Sequence, residues 1–137
     1  MLSCSRFGFV ETGGPEVLHV VELSDPRPGP GELRIRVRAA AVNPTDTGPR
    51  SGSRPEALQG VEPPYVPGMD AAGVLEEIGP GSTTDLRVGD HVMAVVIPRG
   101  PHGAYAERIV LPAESVVRAP AGADDAHAAT LPMNGLT

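Results

Sequence analysis

Hydrophobic and polar residues alternate most strictly in ELRIRVRAAAV, where Leu33, Ile35, Val37 and Ala39 are separated by Arg34, Arg36 and Arg38. A period of two puts successive side chains on opposite faces, so this stretch is predicted to be a half-buried strand with its arginines in solvent. Upstream, RFGFVE and VLHVVEL are predicted as two shorter strands joined by the turn TGGPE. The Pro-Gly connector SDPRPGPG then leads to the arginine strand, and together these elements suggest a meander. Residues 48–67 hold no sustained period and are crowded with breakers, which predicts a long surface loop. Beyond it, GMDAAGVLEEIG and DHVMAVVI read as strands around PGSTTDLRVG, with Gly79 to Ser82 reversing the chain. AYAERIVLP and SVVRAP follow at close spacing, a rhythm of short strands that means a barrel or sandwich. Only ADDAHAATLPMNGLT looks helical: Asp124 or Asp125 can cap it, Ala favours it, and Pro132 interrupts it.

A length of 137 residues suits one domain with a real core. The 17 Gly and 16 Pro fall in short clusters and form no low-complexity block, which fits many short strands. The formal charge of −6, with basic residues scattered among acids, provides no stripe to neutralise a phosphate backbone, and two Phe, two Tyr and no Trp leave few stacking platforms. Nucleic acid is therefore not expected as a partner. No apolar run approaches membrane-spanning length, and MLSCSRFGFVE lacks the features of a secretory signal, so a soluble chain with no membrane partner is expected. The single cysteine, Cys4, excludes an internal disulfide and makes the cytoplasm the default compartment.

Candidate chemistry is sparse. His19, His91, His102 and His127 lie far apart without Cys or carboxylates at ligand spacing. His102, in RGPHGAYAE, is the one set among glycines that allow close backbone approach, and a plain loop role is its alternative. No Ser sits in a nucleophile elbow, and Cys4 falls where the N-terminus is expected to fray, so a nucleophilic triad has no support. The glycines of GPGSTTDLRVGD do not form a dinucleotide fingerprint or a P-loop. In VNPTD, Asn43 is either the cap of a short helical turn or a group aimed at a ligand.

The order GGPEVL, AAVNPTD, YVPGMDAAGVLEEIGPG, VGDHVMA, GAYAE and LPMNGLT is similar to the N-terminal, GroES-like half of the quinone oxidoreductase branch of the medium-chain dehydrogenase/reductases, from about Arg6 to Thr137. The resemblance implies a mainly β fold: a GroES-like, partly open β-barrel with short helices over residues 1–123, and the start of a C-terminal helix over 124–137. That barrel would form one wall of a cleft whose other wall is a Rossmann cofactor domain, of the same or a partner chain. No G-x-G-x-x-G or parallel βαβ pattern stands in these residues to replace that domain, so the chain alone is expected to be inactive.

Zinc-dependent relatives place a Cys where Asn43 stands and a His where Met69 stands. An amide and a thioether hold Zn²⁺ poorly, so the resemblance is to zinc-free reductases, in which NADP(H), or else NAD(H), gives a hydride to a quinone or an enone. It further implies that Asn43 contacts the nicotinamide ribose or carboxamide, that Pro44 fixes the strand exit, that Asp46 caps the turn, and that the Thr137 hydroxyl lies near the nicotinamide. Relatives carry a Tyr soon after the NPxD acid. Here the first aromatic is Tyr65, which joins Met69 and His102 as the expected substrate pocket. No catalytic side chain is assigned, since catalysis would be mostly positioning. The full-length enzyme is expected to be a homodimer. The rival is a non-catalytic GroES-like binding or assembly module.

Overall fold

Two antiparallel sheets carry residues 2–136, which the computed structural model describes. The first pairs β1 (Ser3–Gly8) with β2 (His19–Ser24), Ser3 opposite Ser24 and Gly8 opposite His19. The second is built from β3 (Glu32–Ala40), β4 (Asp70–Ile78), β5 (His91–Val95), β6 (Arg108–Pro112) and β7 (Val116–Arg118), in the order β6-β3-β4-β5-β7. Local bonds bridge the sheets without closing them: Phe7 N–H donates to the Tyr105 carbonyl at 2.8 Å, Glu107 N–H to that of Ser5 at 3.0 Å, and Phe9 and Tyr65 exchange both backbone bonds. The result is the mainly β, partly open barrel expected from the sequence. Among the described residues no helix is long and apolar enough to cross a membrane.

The expected meander is corrected. β2 does not pair with β3, which lies between β6 and β4. Residues 25–31 contain three prolines that cannot donate to a ladder, and Gly31 at φ 78° turns the chain into the other sheet.

Leu33 and Ile35, buried as the alternation predicts, form the centre of the main core with Leu75, Val92, Ile109 and Leu111. The solvated arginine face is corrected at one position: Arg34 is only 8 % exposed. A register shift between Arg34 and Ile35 breaks the alternation, and the Arg34 guanidinium is covered by Asp25 at 3.4 Å, Glu76 at 3.1 Å and Glu77 at 3.1 Å. Arg36 and Arg38 do face solvent. Cys4 is also corrected, from a frayed end to a fully buried position in β1, where its thiol faces the Arg108 carbonyl at 3.6 Å.

The predicted loop at 48–67 contains structure at its start. Helix α1 spans Pro44–Ser51 and a 3-10 turn spans Pro55–Leu58. Breakers hid α1, but Pro44 occupies the first helical position, where its missing N–H costs nothing, and Gly52 at φ 87° ends the helix.

The C-terminal stretch is helical, as expected, with Asp124 rather than Asp125 as cap: its carboxylate accepts from His127 N–H at 2.8 Å. The helix breaks at Thr130 into α2 (Asp125–Ala129) and α3 (Leu131–Leu136), and Pro132 sits in the first turn of α3. Ala128 and Ala129 pack on Ala72 of β4, so short side chains bring α2 close to the sheet. Thr137 lies outside the described residues.

Candidate functional site

The chain leaves β3 into α1 through Asn43, the N-cap, whose extended backbone lets Pro44 begin the helix. Asp46, expected to cap this turn, is instead its third-residue partner. The Asp46 carboxylate accepts from Asn43 N–H at 2.8 Å, while Asp46 N–H donates to the Asn43 carbonyl at 2.9 Å. The Asn43 side chain faces the Asp46 N–H as in a capping box but makes no full cap hydrogen bond. Its Nδ2 donates elsewhere, to Asp70 Oδ1 at 3.2 Å.

Asp46 is 4 % exposed and gathers three segments. Besides Asn43 N–H, it accepts from Gly68 N–H at 2.8 Å and from the Tyr105 hydroxyl at 3.3 Å. Gly68 is required there: its φ is 109°, and a Cβ would lie 2.8 Å from the Ala104 nitrogen. Strand-like bonds hold the same crossing, from Ala104 N–H to the Gly68 carbonyl and from Tyr105 N–H to the Pro67 carbonyl, both at 3.0 Å. The motifs PGMD and GAY are thus two sides of one contact.

Asp70, at the first position of β4, is 1 % exposed. Burial pushes its carboxyl above the ordinary value, hydrogen bonds from Met133 N–H and the Asn43 amide work against that shift, and the Asp46 charge reinforces it. The Tyr105 phenol is pushed well up by burial, and further by Asp46 and Asp70. Neither Asp70 nor Tyr105 was singled out from sequence. The available signals were an acid opening the small apolar run AAGVL and one of only two tyrosines, two residues after Gly103.

A cleft of about 240 Å³ opens beside Asp46. Its lining includes Phe9, Leu58, Val66 and two expected pocket residues, Tyr65 and Met69. The Tyr65 ring packs on Phe9 with centroids 5.3 Å apart, and its hydroxyl donates to the Val61 carbonyl at 3.3 Å. Thr45 also lines the cleft, and its Oγ1 is buried without a hydrogen-bond partner. Asn43 and Pro44 stand next to Thr45 but are not among the lining residues. His102 is not brought to this cleft. It lies in a separate cavity of about 140 Å³ with Arg6 and Arg108, and burial, aided by Arg6, holds its imidazole below the ordinary value. Among the described residues no three His, Cys, Asp or Glu side chains gather as a metal site. Asp46, Arg54 and Arg99 also line the cleft with Tyr65 and Met69, so it joins apolar walls to charged ones and can hold a largely apolar molecule with a polar end.

The sequence profile of the family described as "Alcohol dehydrogenase GroES-like domain" matches residues 29–121. A 2-haloacrylate reductase of Burkholderia sp is 41% identical over 127 residues, covering 91% of this chain and 37% of that protein. A quinone oxidoreductase of Pseudomonas aeruginosa is 39% identical over 135 residues, covering 96% of this chain and 38% of that protein. The solved structure of the quinone oxidoreductase from Coxiella burnetii matches with a TM-score of 0.87 at 28% identity, covering 99% of this chain and 43% of that one. The chain spans less than half the length of each of these proteins.

Proposed function

The chain belongs to the alcohol dehydrogenase GroES-like domain family, and from that premise we propose that it is the acceptor-binding part of a zinc-independent reductase that uses NADP(H) to reduce quinones or activated double bonds. The observation that carries the proposal is the cleft beside α1, apolar on Phe9, Leu58, Val66 and Met69, with Thr45, whose buried Oγ1 has no hydrogen-bond partner, in its lining. Supporting it are the names of the two relatives, a haloacrylate reductase and a quinone oxidoreductase, both of which reduce unsaturated acceptors.

The residues present fit the nicotinamide end of such a cofactor and not its adenosine end. Thr45 offers a buried hydroxyl with unused hydrogen-bonding capacity, and Asn43 stands two residues before it with its amide oriented by Asp70. No glycine-rich phosphate turn precedes a helix in this chain, so the Rossmann domain that binds the rest belongs to further residues or to a partner chain. When bound, the reduced nicotinamide supplies the hydride. The work of this chain is to exclude water with Phe9, Tyr65 and Met69, to present Asn43 to the nicotinamide, and to hold the acceptor beside Thr45 while charge develops on its oxygen. Asn43 and Met69, at the places where zinc-dependent relatives carry Cys and His, give the zinc-free form of this chemistry.

The test joins residues 1–137 to a nucleotide-binding domain and follows NADPH consumption with a quinone and with a 2-haloacrylate. Turnover is expected of the joined protein and not of the 137-residue chain alone. Failure of the joined protein to bind NADPH overturns the proposal and leaves the binding-module rival.

A further inference from the structure

We infer that Asp70 is a positioning residue, whose buried carboxylate fixes the orientation of the Asn43 amide and ties it to the first turn of α3. The inference rests on the reading of Asn43 as a cofactor contact.

Three elements converge on this one group. Asp70 opens β4, its Oδ1 accepts from Asn43 Nδ2 at 3.2 Å at the N-cap of α1, and its Oδ2 accepts from Met133 N–H at 3.4 Å in α3. The side chain sits at 1 % exposure and makes no ion pair with a described residue, an unfavourable place for a carboxylate.

The helix start does not need this bond. Asp46 already accepts the Asn43 N–H, and the Asp46 N–H is satisfied by the Asn43 carbonyl. What Asp70 adds is direction: an ionised carboxylate only accepts hydrogen bonds, so it can meet the nitrogen of the Asn43 amide and never its oxygen. An asparagine or serine at position 70 could pair with either end and would leave the amide free to flip. Because the same carboxylate holds Met133, the orientation of Asn43 is coupled to the seating of α3.

The test has two arms. In the first, side-chain amide protons are followed by NMR in the 137-residue chain, whose only asparagines are Asn43 and Asn134. Asp70→Ala is expected to speed exchange of the Asn43 side-chain protons by roughly tenfold or more, the size of one lost hydrogen bond. Asp70→Asn, which keeps one acceptor oxygen, should fall between and serves alone if Asp70→Ala does not fold. Unchanged Asn43 exchange overturns the inference. In the second arm, on the chain joined to a nucleotide-binding domain, Asp70→Ala should weaken NADPH binding by up to about fivefold, no more than Asn43→Ala does, when Asn43 is present and add nothing to Asn43→Ala. Equal losses with and without Asn43 overturn it too, because Asp70 would then act by another route. Should Asn43 respond to Asp70 while the wild-type joined protein binds no NADPH, the reductase reading fails and the positioning role stands.

Discussion

Gly68 N–H and Asp46 Oδ1 meet at 2.8 Å, and through that bond the short helix α1 is fastened to the segment that enters the central strand β4. The same carboxylate also holds the start of α1 and the Tyr105 hydroxyl, so the cleft wall depends on one buried acid more than on its apolar lining.

Replacing Asp46 by Ala strands two backbone N–H groups and a phenol at once. A loss of about 3 kcal/mol or more in urea unfolding is expected. Tyr105→Phe removes one bond of the three and should cost about 1 kcal/mol. Equal costs for the two variants would show that the backbone contacts of Asp46 contribute nothing.

Gly68→Ala should be as damaging for a different reason. The new methyl must occupy a positive-φ residue and lie 2.7 Å from the Ala104 Cβ, with backbone as the next neighbour. Left-handed backbone alone costs roughly 1–2 kcal/mol, and the clash adds to it. Gly81→Ala is the control, since its φ is 67° but nothing lies near its missing Cβ. The difference between the two unfolding free energies measures the clash.

Acid should weaken the barrel through Glu76. Burial disfavours its charge, but the hydrogen bond from Arg36 and the charges of Arg108 and Arg34 outweigh that and hold the carboxyl below its ordinary value of 4.5. A carboxylate whose folded-state pKa is lowered contributes stability above its unfolded-state value and loses it as pH falls through the folded-state one. Glu76→Gln should therefore cost about 1 kcal/mol at pH 7, allowing for partial solvent screening. The two melting curves should converge well below pH 4.5. A constant difference at all pH values would mean that shape, not charge, is what Glu76 supplies.

Asn43→Ala, in the chain joined to a nucleotide-binding domain, should weaken NADPH binding by about 1 kcal/mol, the value of one hydrogen bond to a neutral group. Melting temperature should move little, because Asp46 still holds the helix start. A lowered melting point with unchanged NADPH affinity would make Asn43 a cap and remove it from the site. Elemental analysis of the dialysed protein is expected to find less than stoichiometric zinc, and one tightly held zinc per chain would reverse the assignment of Asn43 and Met69.

The alternation of Leu33, Ile35 and Val37 placed β3 because burial on one face repeats every second residue. The fate of Arg34 was hidden for the same reason: a bulge changes the period, and its acidic partners Asp25 and Glu76 are distant in sequence. Only the opening turn of α1, capped at Asn43, was legible, because the stability of the rest lies in the Asp46 contacts and not in propensity, which Gly48 and Pro49 oppose. VNPTD was legible as a special turn. That its acid faces inward, toward Gly68 and Tyr105, depends on contacts 22 and 59 residues away, which no local pattern encodes.

The docking of α2 on β4 also bears on recombination between members of this family. With Ala128 and Ala129 pressed on Ala72, and Asp125 meeting Arg38 at 3.4 Å and His91 at 3.4 Å, the direction of the polypeptide is set before Thr130. A chimaera spliced within residues 125–129 would exchange one side of that contact and lose its aim. One spliced after α3 keeps a complete mount, including the Met133 bond to Asp70, and foreign domains grafted there would inherit this chain's geometry.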